Sequence, residues 1–243
     1  MYATRQESRF RTGKQQRYRL CHTTKGRLCY PVEPRRYTPP ICHRRNGKRQ
    51  RWQVGVIPLH LNATGEKLDE MFRISLNHAD GQLLSDLLVG KSLKETYKAG
   101  EICAACWMLP VSVVQTIGGF NPLYFHYGED NNFYQRMVYH HIPMLLVPKS
   151  RMYHDRVFYG NQVAHHHKRT HRDMLNIVCD INLSLSKRMF EVARAIVRAY
   201  AYDLPIKSYR PGGFLKELLW CACNLSRIRH SRLEEKKTGL TWL

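Results

Sequence analysis

Apolar and polar positions along this chain change character at Trp52. Before it, apolar residues stand singly among Arg, Lys, Gln, Thr and Pro with neither helical nor strand periodicity. A stretch of that kind buries too little surface to offset its ordering entropy, so residues 1–51 are expected to be disordered. After it, short apolar blocks follow one another. Val54 to Pro58 reads as a buried strand ended by proline, and Asn62-Ala63-Thr64-Gly65 as a turn. Residues 66–100 mix polar and apolar positions and predict irregular structure with short helical pieces. Ile102 to Leu109 is a near-continuous apolar run, a second strand candidate. Pro110 suits the first position of a helix over Val111 to Ile117, which Gly118 and Gly119 stop. Asn131 to His140 predicts a helix with Phe133, Met137 and either Tyr134 or Val138 inward. Met144 to Val147 predicts a third strand closed by Pro148, with Tyr153-His154-Asp155 on a loop or strand end. Beyond His171 the period is helical. Met189, Val192, Ala193, Ile196, Val197 and Tyr200 mark one amphipathic helix, and Pro211-Gly212-Gly213 separates it from a last helix around Phe214 to Ile228.

Charge sharpens the boundary. The 243 residues carry a net charge of +20. Residues 1–51 hold 15 Lys and Arg against Glu7 and Glu33, a net of +13, so the remaining 192 residues are only mildly basic at +7. Such an excess draws polyanions, namely nucleic acid, an anionic membrane face or phosphorylated substrates. The charged N-terminus lacks the apolar core of a secretory signal, and no apolar run approaches the ~20 residues of a membrane span. The eight cysteines therefore read as reduced cytosolic thiols. Cys103-Ala-Ala-Cys106 has zinc-like spacing but no second ligand pair at a suitable distance, and His165-His166-His167 with His171 reads as a solvated polar linker.

One ordered series remains: Gly118-Gly119-Phe120, Tyr127-Gly128-Glu129-Asp130, Arg136, Val147-Pro148 and Tyr153-His154-Asp155. Together with the upstream Gly55-Val56-Ile57-Pro58 and Asn62 to Asp69, it resembles the second half of family 2 glycosyltransferases, in particular their rhamnosyltransferase-like branch, over roughly Val54 to Asp155. The resemblance implies an α/β chain: an incomplete GT-A-type (nucleotide-diphospho-sugar transferase) fold with a C-terminal helical extension. Residues 52–170 would be the acceptor-side part and 171–243 the helical region.

Inverting sugar transfer needs a base that takes the acceptor hydroxyl's proton as its oxygen attacks the anomeric carbon. By resemblance Asp130 is that base, and Glu129 positions the base or the acceptor. Trp107, Gly119, Phe120 and Arg136 fall in the acceptor and positioning set. His154 would be the metal-side ligand for Mg²⁺ or Mn²⁺, which neutralises the leaving diphosphate. Plainer roles stand beside these: Glu129 and Asp130 as helix caps, Arg136 in a structural ion pair, Trp107 and Met108 in the core, His154 as a surface residue.

The family's nucleotide-binding half is missing. Residues 1–51 contain neither its Asn-x-Gly-Phe-Gly segment nor its Leu-Asn-Pro-Asp metal motif, and no strand is expected there. Read one nucleotide later, codons allowed for Glu7 to Arg19 permit Asn-Pro-Gly-Phe-Gly-Gln-Ala-Asn-Asn-Ser-Gly-Ile. Those for Cys29 to Tyr37 permit Val-Ile-Leu-Leu-Asn-Pro-Asp-Ala. Both are family patterns, in order and in one frame. Residues 1–51 are thus read as an out-of-frame translation, and the chain as written is expected to be impaired or inactive.

The expected partners are a nucleotide-sugar donor and a saccharide or lipid-linked acceptor in polysaccharide synthesis, at a cytoplasmic location extending to the inner face of the plasma membrane. A peripheral membrane contact is a further partner, through Leu218, Leu219 and Trp220 flanked by Lys216, Arg227, Arg229 and Arg232; ordinary packing of those helices is the competing account. The alternative function is a basic nucleic-acid-binding protein with a disordered arm, though the arm offers no aromatic stacking platform set in a fold and specific nucleic-acid binding is not expected.

Overall fold

The computed structural model describes residues 18–19, 28–31, 53–76, 81–124, 127–155, 162–198 and 212–242. The chain falls into two compact units, Met1–Thr116 with Ile142–Val157, and Ile117–His141 with Phe158–Leu243. Among the described residues it is a mixed α/β protein with two small sheets and eight helices.

The first unit is built on β3 (Gly55–Asn62), β6 (Met144–His154) and β4 (Tyr97–Lys98), in the order β3-β6-β4. β3 and β6 run parallel, and β4 is antiparallel to β6. Both long strands outrun the sequence expectation, and the reason is shared. Pro58 and Pro148 were expected to end their strands, yet the ladder slips between Pro58 and Leu59: Val147 faces Pro58, and Arg151 is the next partner, facing Leu59. A proline that cannot donate to the ladder is tolerated at such an irregularity. Pairing resumes and runs to Asn62 opposite His154. Ile57, Leu146 and Phe72 are fully enclosed around this sheet.

Two short helices, α1 (Glu70–Ser75) and α2 (Gln82–Leu88), account for the irregular stretch. Ile102 to Leu109 is mostly buried, with Cys103 to Ala105 half-buried, but is not a strand. Turns occupy its middle, Trp107 Nε1 donates to the Ile102 carbonyl at 3.2 Å, and only β5 (Leu109–Pro110) and a single bridge from Met108 to Val56 are extended. A continuous apolar run reports burial without reporting backbone geometry. A second sheet has the order β1-β2-β5, with β1 (Tyr18–Arg19) and β2 (Leu28–Pro31) in the stretch where no strand was expected. Ladders this short leave no periodicity to read. The expected disorder of the rest of residues 1–51 lies outside the described residues.

α3 (Val111–Ile117) forms where expected. The second unit is helical: α4 (Glu129–Tyr139), α5 (Gln162–Cys179), α6 (Leu185–Arg198), α7 (Gly212–Cys223) and α8 (Leu225–Glu235). Its core joins Tyr124, Leu175, Cys179 and Ile228, with Trp220 packed against them, and a second cluster joins Met174 and Val192. The expected linker of histidines is helical backbone in α5, and His171 there is bonded to Glu217 and edge-on to Trp220. The expected last helix is two, divided at Asn224, whose side-chain amide donates to the Trp220 carbonyl. No helix among the described residues is long and apolar enough to cross a membrane.

Candidate functional site

The second unit holds Glu129 and Asp130 in the first turn of α4, behind Gly128 at the N-cap. Gly128 sits at φ +91°, and a Cβ there would press on Arg172 Cγ at 2.6 Å and on Tyr124 and Asn176. Only glycine lets α5 approach this turn. Tyr127 precedes it at φ +70°, a left-handed conformation that a bulky residue rarely adopts. Two acids at a helix N-terminus complement its dipole, but neither occupies the capping position itself. Asp130 Oδ1 accepts from the Asn131 N–H at 2.9 Å.

Glu129 is the more enclosed acid in one respect: its Oε2 is buried with no hydrogen-bond partner among the described residues. Burial pushes its carboxyl above the usual carboxylate range, neighbouring Asp130 adds to the rise, and Arg172 opposes it. Sequence reading missed Arg172. It lies more than forty positions from Gly128, and no pattern along the chain links the two.

Arg136 is fully enclosed. Its guanidinium donates to the carbonyls of Ile117 at 2.5 Å and Gly119 at 2.6 Å, and it lies over the rings of Phe133 and Trp242. Burial lowers its pKa to about 10. Enclosed and committed to main-chain oxygens, it fixes the Gly118-Gly119-Phe120 turn and is not placed to meet a phosphate. Phe120 is 44% exposed, its ring 5.3 Å from that of Phe133. Gly118 takes φ +78° against the backbone of Thr241, whose carbonyl accepts from the Gly119 N–H at 2.7 Å.

Behind α4 lies a buried polar cluster that the sequence did not disclose. Glu235 Oε1 accepts from Asn121 Nδ2 at 2.5 Å, Asn132 Nδ2 at 2.8 Å and Ser231 Oγ at 3.3 Å. Burial raises the Glu235 carboxyl above the usual range, while the donors and Arg136 restrain the rise. Ser231 is four residues from Glu235, but Asn121 and Asn132 are more than a hundred away, beyond the reach of any local spacing rule.

Comparison with protein families, with curated proteins and with solved structures finds no match. The candidate site therefore rests on its own residues.

The first unit holds the other candidates. Trp107 is 5% exposed and belongs to the core, the plainer of its two expected roles. His154 ends β6, with Nδ1 3.2 Å from Asp69 Oδ2. Asp69 is itself 3% exposed and N-caps α1, its Oδ1 accepting from Met71 N at 3.0 Å and Phe72 N at 3.1 Å. The turn Asn62 to Gly65 brings Asp69 back, so that its N–H donates to the His60 carbonyl. No three His, Cys, Asp or Glu gather as a metal set among the described residues. The described residues thus do not by themselves fit Mg²⁺ or Mn²⁺. At Cys103-Ala-Ala-Cys106 neither thiol is in a disulfide, Cys103 Sγ is 3.8 Å from His60 Nδ1, and burial pushes the Cys106 thiol up to about 11.

Proposed function

We propose that this chain is the acceptor-side part of an inverting nucleotide-sugar glycosyltransferase of GT-A type, acting on a saccharide or lipid-linked acceptor. One observation carries the reading. Glu129 and Asp130 open α4 behind a left-handed Gly128, in one unit with a Gly-Gly-Phe turn clamped by Arg136. Asp130 takes the proton from the acceptor hydroxyl as that oxygen bonds to the anomeric carbon and the bond to the leaving diphosphate breaks. Glu129 holds its proton to higher pH than an ordinary carboxylate and positions the acceptor. A divalent cation would neutralise the diphosphate. The described residues gather no ligand set for that ion, so the chemistry proposed for this chain is the proton transfer alone.

The donor half is absent from the translated frame, so the 243-residue chain should not transfer sugar. A chain with its first 51 codons restored to the shifted frame should release nucleoside diphosphate from a sugar nucleotide in the presence of acceptor. Asp130→Asn should lower that rate about a hundredfold or more. Full activity in Asp130→Asn and in Glu129→Gln would sink the assignment. The runner-up reading, a basic nucleic-acid-binding protein, rests on the +13 of residues 1–51. It requires salt-sensitive binding of RNA or DNA by the full chain that selects among sequences; binding that ignores sequence reduces it to charge.

A further inference from the structure

α6 is more amphipathic than its packing requires. Val192 is buried, and Ala195 and Ile196 pack with it toward Met174 and Cys221. Turning the helix by about 100° per residue, a second apolar arc continues beyond this contact. It carries Met189, Phe190 and Val197, which are 61%, 64% and 65% exposed. Three large apolar side chains on one arc of a 14-residue helix, all solvated, form a stripe and not scattered singles. Beyond Phe190 the arc meets Arg194, Lys187 and Arg198, all exposed. The only acid on the helix, Glu191, is paired with Arg194 at 2.6 Å.

We infer that α6 is a membrane-surface helix that lies in the interface of an anionic phospholipid bilayer. The charge pattern selects this occupant. An apolar stripe bordered by cations that outnumber the helix's single acid enters the acyl boundary while the cations meet lipid phosphates, and each favours the other. At about 21 Å the helix is too short to span a bilayer and long enough to lie on one. The sequence placed a membrane contact on α7 and α8 instead. There Trp220 is packed in the core and Arg232 donates to the carbonyls of Asp180, Val178 and Leu183, so those two side chains are committed to the protein. The inference does not depend on the transferase reading.

The test uses the full chain and vesicles of phosphatidylcholine with or without phosphatidylglycerol. On the anionic vesicles, amide exchange over 185–198 should slow, and Met189→Asp with Phe190→Asp should remove that protection and weaken co-sedimentation about tenfold. Both side chains are exposed, so the fold should survive, and circular dichroism checks it. Lys187→Gln with Arg194→Gln and Arg198→Gln, which leaves the apolar stripe intact, should weaken binding by a similar factor. Unchanged exchange over 185–198 on vesicles would overturn the proposal, because binding would then belong to the basic residues 1–51. Equal protection in the lipid-free chain, with or without self-association in sedimentation, would also overturn it, giving the stripe to the chain itself or to a second copy.

Discussion

The two units bury carboxylates in different ways. In the first, Asp69 caps its own helix and Asp86 takes hydrogen bonds from Gln82, four residues away, and from Tyr97, eleven away. In the second, Glu235 gathers Asn121 and Asn132 from separations of 114 and 103 residues, and Arg136 reaches back to Ile117 and Gly119. The first unit's buried carboxylates are held mostly by local partners, with the pairing of Asp69 and His154 as the long-range exception among them. The second unit's interior ties the chain's last described helix to the turn and helix that carry Glu129 and Asp130. Precision at a candidate base is thus supplied from far along the chain, and damage there should be costlier than damage at a local cap.

The largest effect should come from Arg136→Met. It deletes two charge-assisted bonds to enclosed carbonyls and leaves Glu235 without its neighbouring cation, at about 3 to 4 kcal/mol of stability by urea titration. Arg136→Lys should not restore it, since one ammonium cannot match the forked pair of bonds. Next comes Glu235→Ala, which strands the amide donors of Asn121 and Asn132 and should cost about 2 kcal/mol. Asp69→Ala removes the α1 cap and the His154 partner, at about 1 to 2 kcal/mol. If Asp69→Ala proved the costliest of the three, the contrast between the units would fail.

The smallest effect is one of slope. Glu235 has a folded pKa raised above its unfolded value by burial, so its contribution to stability is fully present below the ordinary carboxylate range. That contribution is lost as pH rises through the raised folded value. Glu235→Gln should flatten this part of the stability–pH curve while changing stability little in acid. An unchanged slope would mean that the donors around Glu235 cancel its burial.

Legibility followed the same division. The helix at Val111–Ile117, the turn at Asn62 to Gly65 and the amphipathic α6 were readable, because each is decided by neighbours within a turn or two. The strand ends were not. Pro58 and Pro148 are stop signals in isolation, and only their meeting at one slip of the ladder lets both strands continue. The inner face of α4 was half readable: Phe133 and Met137 follow the apolar period, whereas Asn132 and Arg136 are enclosed against partners far along the chain, Glu235 for the one and the carbonyls of Ile117 and Gly119 for the other. At the candidate site, Glu129 and Asp130 stood out by motif. Arg172 and Glu235 did not, since a partner that arrives from another helix leaves no spacing to read.

We propose that Glu129 and Asp130 belong to a sugar-nucleotide transferase whose donor half is written in another frame. Sequencing the coding DNA for residues 1–60 tests it most directly. The account predicts an open shifted frame that spells Asn-Pro-Gly-Phe-Gly over the codons of Glu7 onward and Leu-Asn-Pro-Asp over those following Cys29, rejoining near Trp52. Stop codons in that frame, or other residues at those positions, would contradict it.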